Sequence, residues 1–402
     1  MRRVRPLYLF TGLVGAGVAF VAALDLFYGG GITLFRGEAR IAGLVKEHLS
    51  SGKVLVIPSG FDMRTYKKEM LRQRVAQIKV LVTGSSRILW LGSAFFDVDS
   101  RVFFNAGVAG SPMEYHAIVW QICKEQQRIP AVVFLGLDPW ILNEKAEESR
   151  FIEFDSDLQR FKYSRLGLWP SVLNRLPDQS VWSYWLKVTD LMSAYRLQRT
   201  LDVIRGNLRG EKPLGPGDDE AVLMNPSEVP KESVGFRLDG SLKDDRTRTQ
   251  GRLLNKAATQ LMQNAQAGKF FKFRNWSQLS RVHMGLLDSL LSEMKGHGVR
   301  VIGFMPPYAP EYWGLLAQHE DYLRLLRGQS EFLRKKFLQY QFEYYDMLDP
   351  AVVGLASEDF QDPIHPNRAG MVKVLKYLND HSAIVKDGTF RLKLDSLVSH
   401  RN

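Results

Sequence analysis

The stretch Ile78-Lys-Val-Leu-Val-Thr83, followed at once by Gly84-Ser85-Ser86-Arg87, decides how this chain is read. Apart from Lys79 its first six residues are apolar or β-branched, which predicts a strand buried in a sheet. The glycine and paired serines that end it predict a tight turn presenting a hydroxyl. Outward from this point the same rhythm recurs. Strands are expected at Val54–Ile57, Arg101–Asn105, Ala131–Leu135, Val299–Phe304 and Tyr344–Leu348. Helices are expected near Glu38–Leu49, Asp62–Ala76, Pro112–Gln126, Trp276–Lys295, Tyr322–Gln339 and Arg368–Leu378. Short apolar strands separated by helices predict an α/β fold, a parallel sheet covered on both faces.

Residues 150–275 break that rhythm. Trp169, Trp182 and Trp185 lie in helical stretches, and Gly206–Arg252 is rich in Gly, Pro, Asp and Lys. This reads as a helical insertion followed by a long surface loop.

The N-terminus carries an address. Arg2, Arg3 and Arg5 precede an apolar run from Leu7 to Tyr28 that only Asp25 interrupts. Such a run is long enough to span a bilayer once, and the preceding arginines keep residues 1–6 in the cytoplasm and export the rest. Val21-Ala22-Ala23 resembles a signal-peptidase site. The apolar run is long for a cleaved signal, however, and lacks a polar end, so an uncleaved anchor over 7–28 is the better expectation. The exported part then covers residues 36–402.

The 402 residues have a net charge of +11 spread along the chain, which favours anionic surroundings such as phospholipid head groups or acidic polysaccharide. No nucleic-acid recognition motif accompanies the charge, and a nucleic-acid partner is not expected. The single cysteine, Cys123, excludes an intramolecular disulfide and a cysteine-rich metal site. His48, His116, His283, His297, His319, His381 and His400 show no metal-ligand spacing, so neither metal nor other cofactor is expected.

Four short blocks fall at or just beyond predicted strand ends, where open α/β sheets place their sites. They are Gly84-Ser85-Ser86-Arg87, Asn105-Ala-Gly107-Val-Ala-Gly110, Gly136-Leu137-Asp138-Pro139-Trp140 and Asp362-Pro-Ile-His365. Each alone has a plainer explanation: a capping hydroxyl, a glycine turn, an N-cap aspartate before a helix. Together they allow chemistry. Asp362 and His365, three apart in one turn, can meet, and the carboxylate then holds the imidazole in the tautomer that accepts a proton from a serine. Backbone N–H groups beside the serine would stabilise a tetrahedral oxyanion. Met305-Pro306-Pro307-Tyr308 follows the fourth core strand and reads as a substrate rim or as a rigid loop with a packed tyrosine.

The order Gly-x-Ser, Asn-x-x-x-x-Gly, Gly-x-Asp, Asp-x-x-His resembles the four sequence blocks of the SGNH/GDSL hydrolase superfamily over about residues 78–140 and 299–380. The resemblance implies a flavodoxin-like three-layer α/β/α fold. It places Ser86, Asp362 and His365 in the catalytic triad, with the N–H groups of Ser86 and Gly110 in the oxyanion hole. Gly-x-Ser spacing favours Ser86 over Ser85 as nucleophile. Asp138 departs from the pattern, standing where the family has an asparagine that donates to the oxyanion. In a flavodoxin-like strand order Asp138 and Arg87 end neighbouring strands, so an Arg87–Asp138 ion pair supporting the nucleophile turn is expected. The anchor and the Gly-Ser-Ser turn are similar to membrane-tethered members that modify envelope polymers, namely the alginate-type O-acetylation proteins and the teichoic-acid D-alanyl transfer protein. That similarity implies an extracytoplasmic O-acyltransferase that acts on an envelope glycan or other hydroxyl acceptor, beside a multi-pass membrane O-acyltransferase. An esterase removing acyl groups from glycans is the alternative. A non-catalytic scaffold or carbohydrate-binding module of the same fold is another, and Asp138 is the residue that keeps it open.

Overall fold

A computed structural model describes residues 31–58, 61–143, 145–146, 156–164, 221–230, 233–244, 253–387 and 392–393. The expected membrane anchor at 7–28 and the three tryptophans at 169, 182 and 185 lie outside the described residues. Among the described residues no helix is long and apolar enough to cross a membrane. The chain divides into two compact units, residues 1–44, 58–61 and 162–221 in one, and 45–57, 62–161 and 222–402 in the other. The second unit carries all four sequence blocks.

Its centre is a five-stranded parallel sheet built from β2 (Val80–Thr83), β3 (Phe103–Asn105), β4 (Val132–Gly136), β8 (Arg300–Met305) and β9 (Glu343–Asp346), in the order β3-β2-β4-β8-β9. Numbered within the sheet, that order is 2-1-3-4-5. The apolar run that opened the sequence reading is one of its central strands, and all four residues of β2 are buried, as are all five of β4. Two-sided burial explains why these strands read as continuous apolar runs rather than as alternating ones. β2 pairs in register with β4 from Val80↔Val132 to Thr83↔Leu135, which places the ends of these two strands side by side.

Helices connect the strands as the periodicity predicts, at Met63–Gln73, Met113–Glu125, Arg281–Gly296, Glu320–Gln339 and Arg368–His381. The helix expected from Trp276 starts later, because Ser280 caps it by accepting the His283 N–H at 3.2 Å. The last helix is capped by Asn367, whose Oδ1 accepts the Gly370 N–H at 3.0 Å, so Asp362 is free of a capping role.

The stretch 206–252, read from composition as a surface loop, contains three strands within its described residues. They are β5 (Val222–Met224), β6 (Val234–Phe236) and β7 (Leu242–Asp244), which join β1 (Val54–Val56) in an antiparallel sheet of order β5-β1-β6-β7. The turn between β6 and β7 docks on the edge of the parallel sheet, where Asn105 donates its N–H to the Asp239 carbonyl at 2.8 Å. The buried Lys67 ammonium reinforces this dock, donating to the Asn105 carbonyl at 2.7 Å and also to that of Gly240. Composition misleads here because these strands are only three residues long and join a sheet whose remaining strand, β1, is far away in sequence.

Candidate active site

The turn after β2 is a short 3-10 helix, Ser86–Ile88, with Ser85 as its N-cap. The Ser85 Oγ accepts the Arg87 N–H at 3.2 Å, and the side chain is buried, so Ser85 faces inward. Ser86 is half-buried and faces the opposite way. Its Oγ lies 2.8 Å from Nε2 of His365.

His365 stands across a two-stranded hairpin, β10 (Phe360–Asp362) against β11 (His365–Pro366), in which Asp362 pairs with His365. The hairpin sets the two side chains together, with His365 Nδ1 at 2.7 and 2.9 Å from the Asp362 carboxylate oxygens. The same carboxylate accepts the N–H groups of Ile364 at 2.9 Å and His365 at 3.0 Å. Burial acts to raise the Asp362 pKa, but these hydrogen bonds outweigh it and hold the carboxyl below its ordinary value. The carboxylate therefore stays ionised and fixes Nδ1 as the donor, which leaves Nε2 as a lone-pair acceptor toward Ser86.

Behind the turn the packing is close. Ile88 fills a space bounded by Gly84, Gly107 and Gly136, where an added Cβ would meet its side chain at 2.8, 2.7 and 3.0 Å. The glycines that end the three neighbouring strands thus make room for one isoleucine. Gly107, read in the sequence as part of a glycine turn, thus also serves the packing of Ile88. Asn105 stitches the same segment, its Nδ2 donating to the carbonyls of Ile88 at 2.9 Å and Leu91 at 2.8 Å while its Oδ1 accepts the Gly107 N–H at 2.8 Å.

Gly110 has φ of +58° and is half-buried. The two loops touch through the Val108 N–H, which donates to the Gly84 carbonyl at 3.1 Å. Neither Ser86 N–H nor Gly110 N–H has a protein partner among the described residues.

Arg87 is fully buried. Its Nε donates to the Ile364 carbonyl at 2.9 Å and its Nη2 to those of Pro306 and Pro307, each at 2.6 Å. The expected pair with Asp138 is present but looser, at 3.4 Å from Nη1 to Oδ1. The guanidinium also lies 4.4 Å from the Tyr308 ring centroid, so that tyrosine is packed against the cation rather than set on an open rim. Asp138 receives the Ser85 hydroxyl as well. Burial raises the Asp138 pKa, and Arg87, Ser85 and Lys272 only partly offset it. The Asp138 carboxylate is thus turned under the Ser86 turn, toward Ser85 and Arg87.

Sequence reading passed over Asn105 as a side chain, and also Gln329, which is fully buried and donates to the Asp138 carbonyl at 3.1 Å. The one signal for Asn105 was an amide closing an otherwise apolar strand. Cys123 is buried with its thiol pushed up to about 12, and it takes no part in the site.

Fold and site together define an α/β protein whose parallel sheet carries a hydrogen-bonded Ser–His–Asp chain beyond the carboxyl end of a central strand. No family model matches the chain, and no curated protein matches it.

Proposed function

We propose that this chain is a serine-dependent acyl-transfer enzyme of the SGNH type, with Ser86 as nucleophile, His365 as general base and acid, and Asp362 as the group that orients the imidazole and stabilises the imidazolium it becomes. The observation that carries the reading is the continuous chain from Ser86 Oγ to His365 Nε2 at 2.8 Å and from His365 Nδ1 to Asp362 at 2.7 Å. Distances of this kind are what proton transfer from a serine requires. The 2-1-3-4-5 strand order supports a flavodoxin-like three-layer arrangement.

In the proposed reaction Ser86 Oγ attacks the acyl carbonyl carbon while its proton passes to His365 Nε2. The oxygen of the tetrahedral intermediate takes the N–H groups of Ser86 and Gly110. Collapse expels the donor's leaving group, which takes the proton from His365, and leaves a seryl ester. An acceptor hydroxyl then gives its proton to His365 and attacks the ester, releasing the acylated acceptor and free Ser86.

The arginine-flanked apolar run supports a domain outside the cytoplasm on a single membrane anchor. The resemblance to membrane-tethered proteins that modify envelope polymers favours an acyl group of the O-acetyl type moved onto an envelope polysaccharide, with a multi-pass membrane O-acyltransferase as donor partner. Incubation of the full chain with an activated acetyl ester, with and without glycan acceptor, tests the reading. Acetylated glycan formed at the expense of free acetate supports transfer. Acetate release that no acceptor diverts makes the protein an esterase, and absence of turnover in both arms returns it to the scaffold class that Asp138 represents.

A further inference from the structure

Lys272 belongs to none of the four sequence blocks, yet its ammonium reaches the second. It sits in the segment after the helix Leu253–Gln266, with φ of +62°, a conformation that residues bearing a side chain rarely adopt. Several contacts hold it there. Asn143, in the loop beyond β4, donates its Nδ2 to the Lys272 carbonyl at 2.9 Å. The ammonium lies between aromatic rings, 5.6 Å from the centroid of Trp140 and 5.7 Å from that of Phe271. So placed, Nζ donates to the Gly110 carbonyl at 3.2 Å.

That carbonyl closes the turn whose N–H the reaction above needs. Residues 108–111 meet the nucleophile turn through the single Val108–Gly84 backbone bond, and Gly110 has the left-handed φ of a residue free to rotate its peptides. A cation gripping the Gly110 carbonyl limits that freedom.

We infer that Lys272 is a positioning residue for the oxyanion site, holding the Gly110 turn with its N–H toward the reacting carbonyl. The inference rests on the reading of Ser86 as nucleophile and Gly110 as oxyanion donor. Direct loss of an oxyanion donor costs about 100- to 1,000-fold in turnover, so a group acting through the donor is expected to cost about 10- to 100-fold.

Two measurements on the full chain test it. In the first, acylation by an activated ester is followed for Lys272→Met and Lys272→Arg. Lys272→Met should lower kcat by about 10- to 100-fold with KM within about twofold, and Lys272→Arg should recover most of the loss. An unchanged kcat, a rise in KM alone, or a loss that arginine does not rescue and that follows a fall in Tm would overturn the inference. The second is independent of turnover. In protein labelled with [15N]glycine, the Gly110 amide resonance should shift in Lys272→Met and stay in place in Lys272→Arg. A Gly110 resonance indifferent to Lys272→Met contradicts the clamp, whatever Ser86 does. A shifted resonance in a protein that Ser86 never acylates upholds the clamp and removes the reaction.

Discussion

The two sides of the nucleophile turn are built on opposite terms. In front, Ser86, Asp362 and His365 are half-buried and linked in series. Behind, Arg87, Asn105, Asp138 and Ile88 are buried, and each holds several groups at once. The front has the form of chemistry and the back that of geometry. Substitutions on the two sides should therefore separate activity from stability, and the following experiments test that separation.

The largest effect is expected at the front. Asp362→Asn keeps the shape of the hairpin but removes the charge that fixes the His365 tautomer, so acylation should fall by about 10,000-fold. Thermal unfolding should move by only a few degrees, because the lost interactions are partly exposed. A similar loss of Tm and activity together would show that front and back are not separable.

Next comes the back. Arg87→Ala strands the buried Asp138 carboxyl and removes the donor from three carbonyls, at Ile364, Pro306 and Pro307. Breaking a buried pair costs roughly 3–5 kcal/mol, to be read from denaturant unfolding. Adding Asp138→Asn removes the stranded charge but not the three unpaired carbonyls. Recovery should therefore be partial, and full recovery would mean that the carbonyl contacts contribute little.

The last prediction concerns the framework away from the turn. His48 and His116 are buried, and burial first of all holds each of them down to about 4 from an ordinary 6.5. His116 meets the Thr83 hydroxyl at 3.1 Å and His48 the Lys53 carbonyl at 2.9 Å. The unfolded chain takes up these protons near pH 6.5 and the folded chain only near 4. Their contribution is thus full above pH 6.5 and is lost as pH falls toward 4, at roughly 1.4 kcal/mol per pH unit for each. Unfolding measured from pH 7 to 4.5 should show this slope, and His116→Gln should reduce it by about half. A slope unchanged by that substitution would place the acid sensitivity elsewhere.

Much of this was legible in residues alone, for reasons that also mark the limit. The central strands could be read because β2 and β4 are buried on both faces, which leaves an apolar run no local alternative. Ser86, Asp362 and His365 could be read because a turn and a three-residue spacing are local features. Gly84 and Gly107 were noticed but misassigned in part, since only the packed structure shows that they accommodate Ile88. The strands at 222–244 were missed because they are short and because β1, which joins β5 and β6, lies some 170 residues away in sequence. Lys272 was missed for the same reason, as nothing near it in sequence indicates that its ammonium ends on Gly110.

The central claim is that Ser86, and not its neighbour, faces the imidazole. The direct test is peptide mapping by mass spectrometry after exposure of the full chain to an activated-ester probe. The account predicts an acyl adduct on Ser86 in the native protein and in Ser85→Ala, and none in Ser86→Ala. An adduct that survives in Ser86→Ala, or that disappears only in Ser85→Ala, would contradict it.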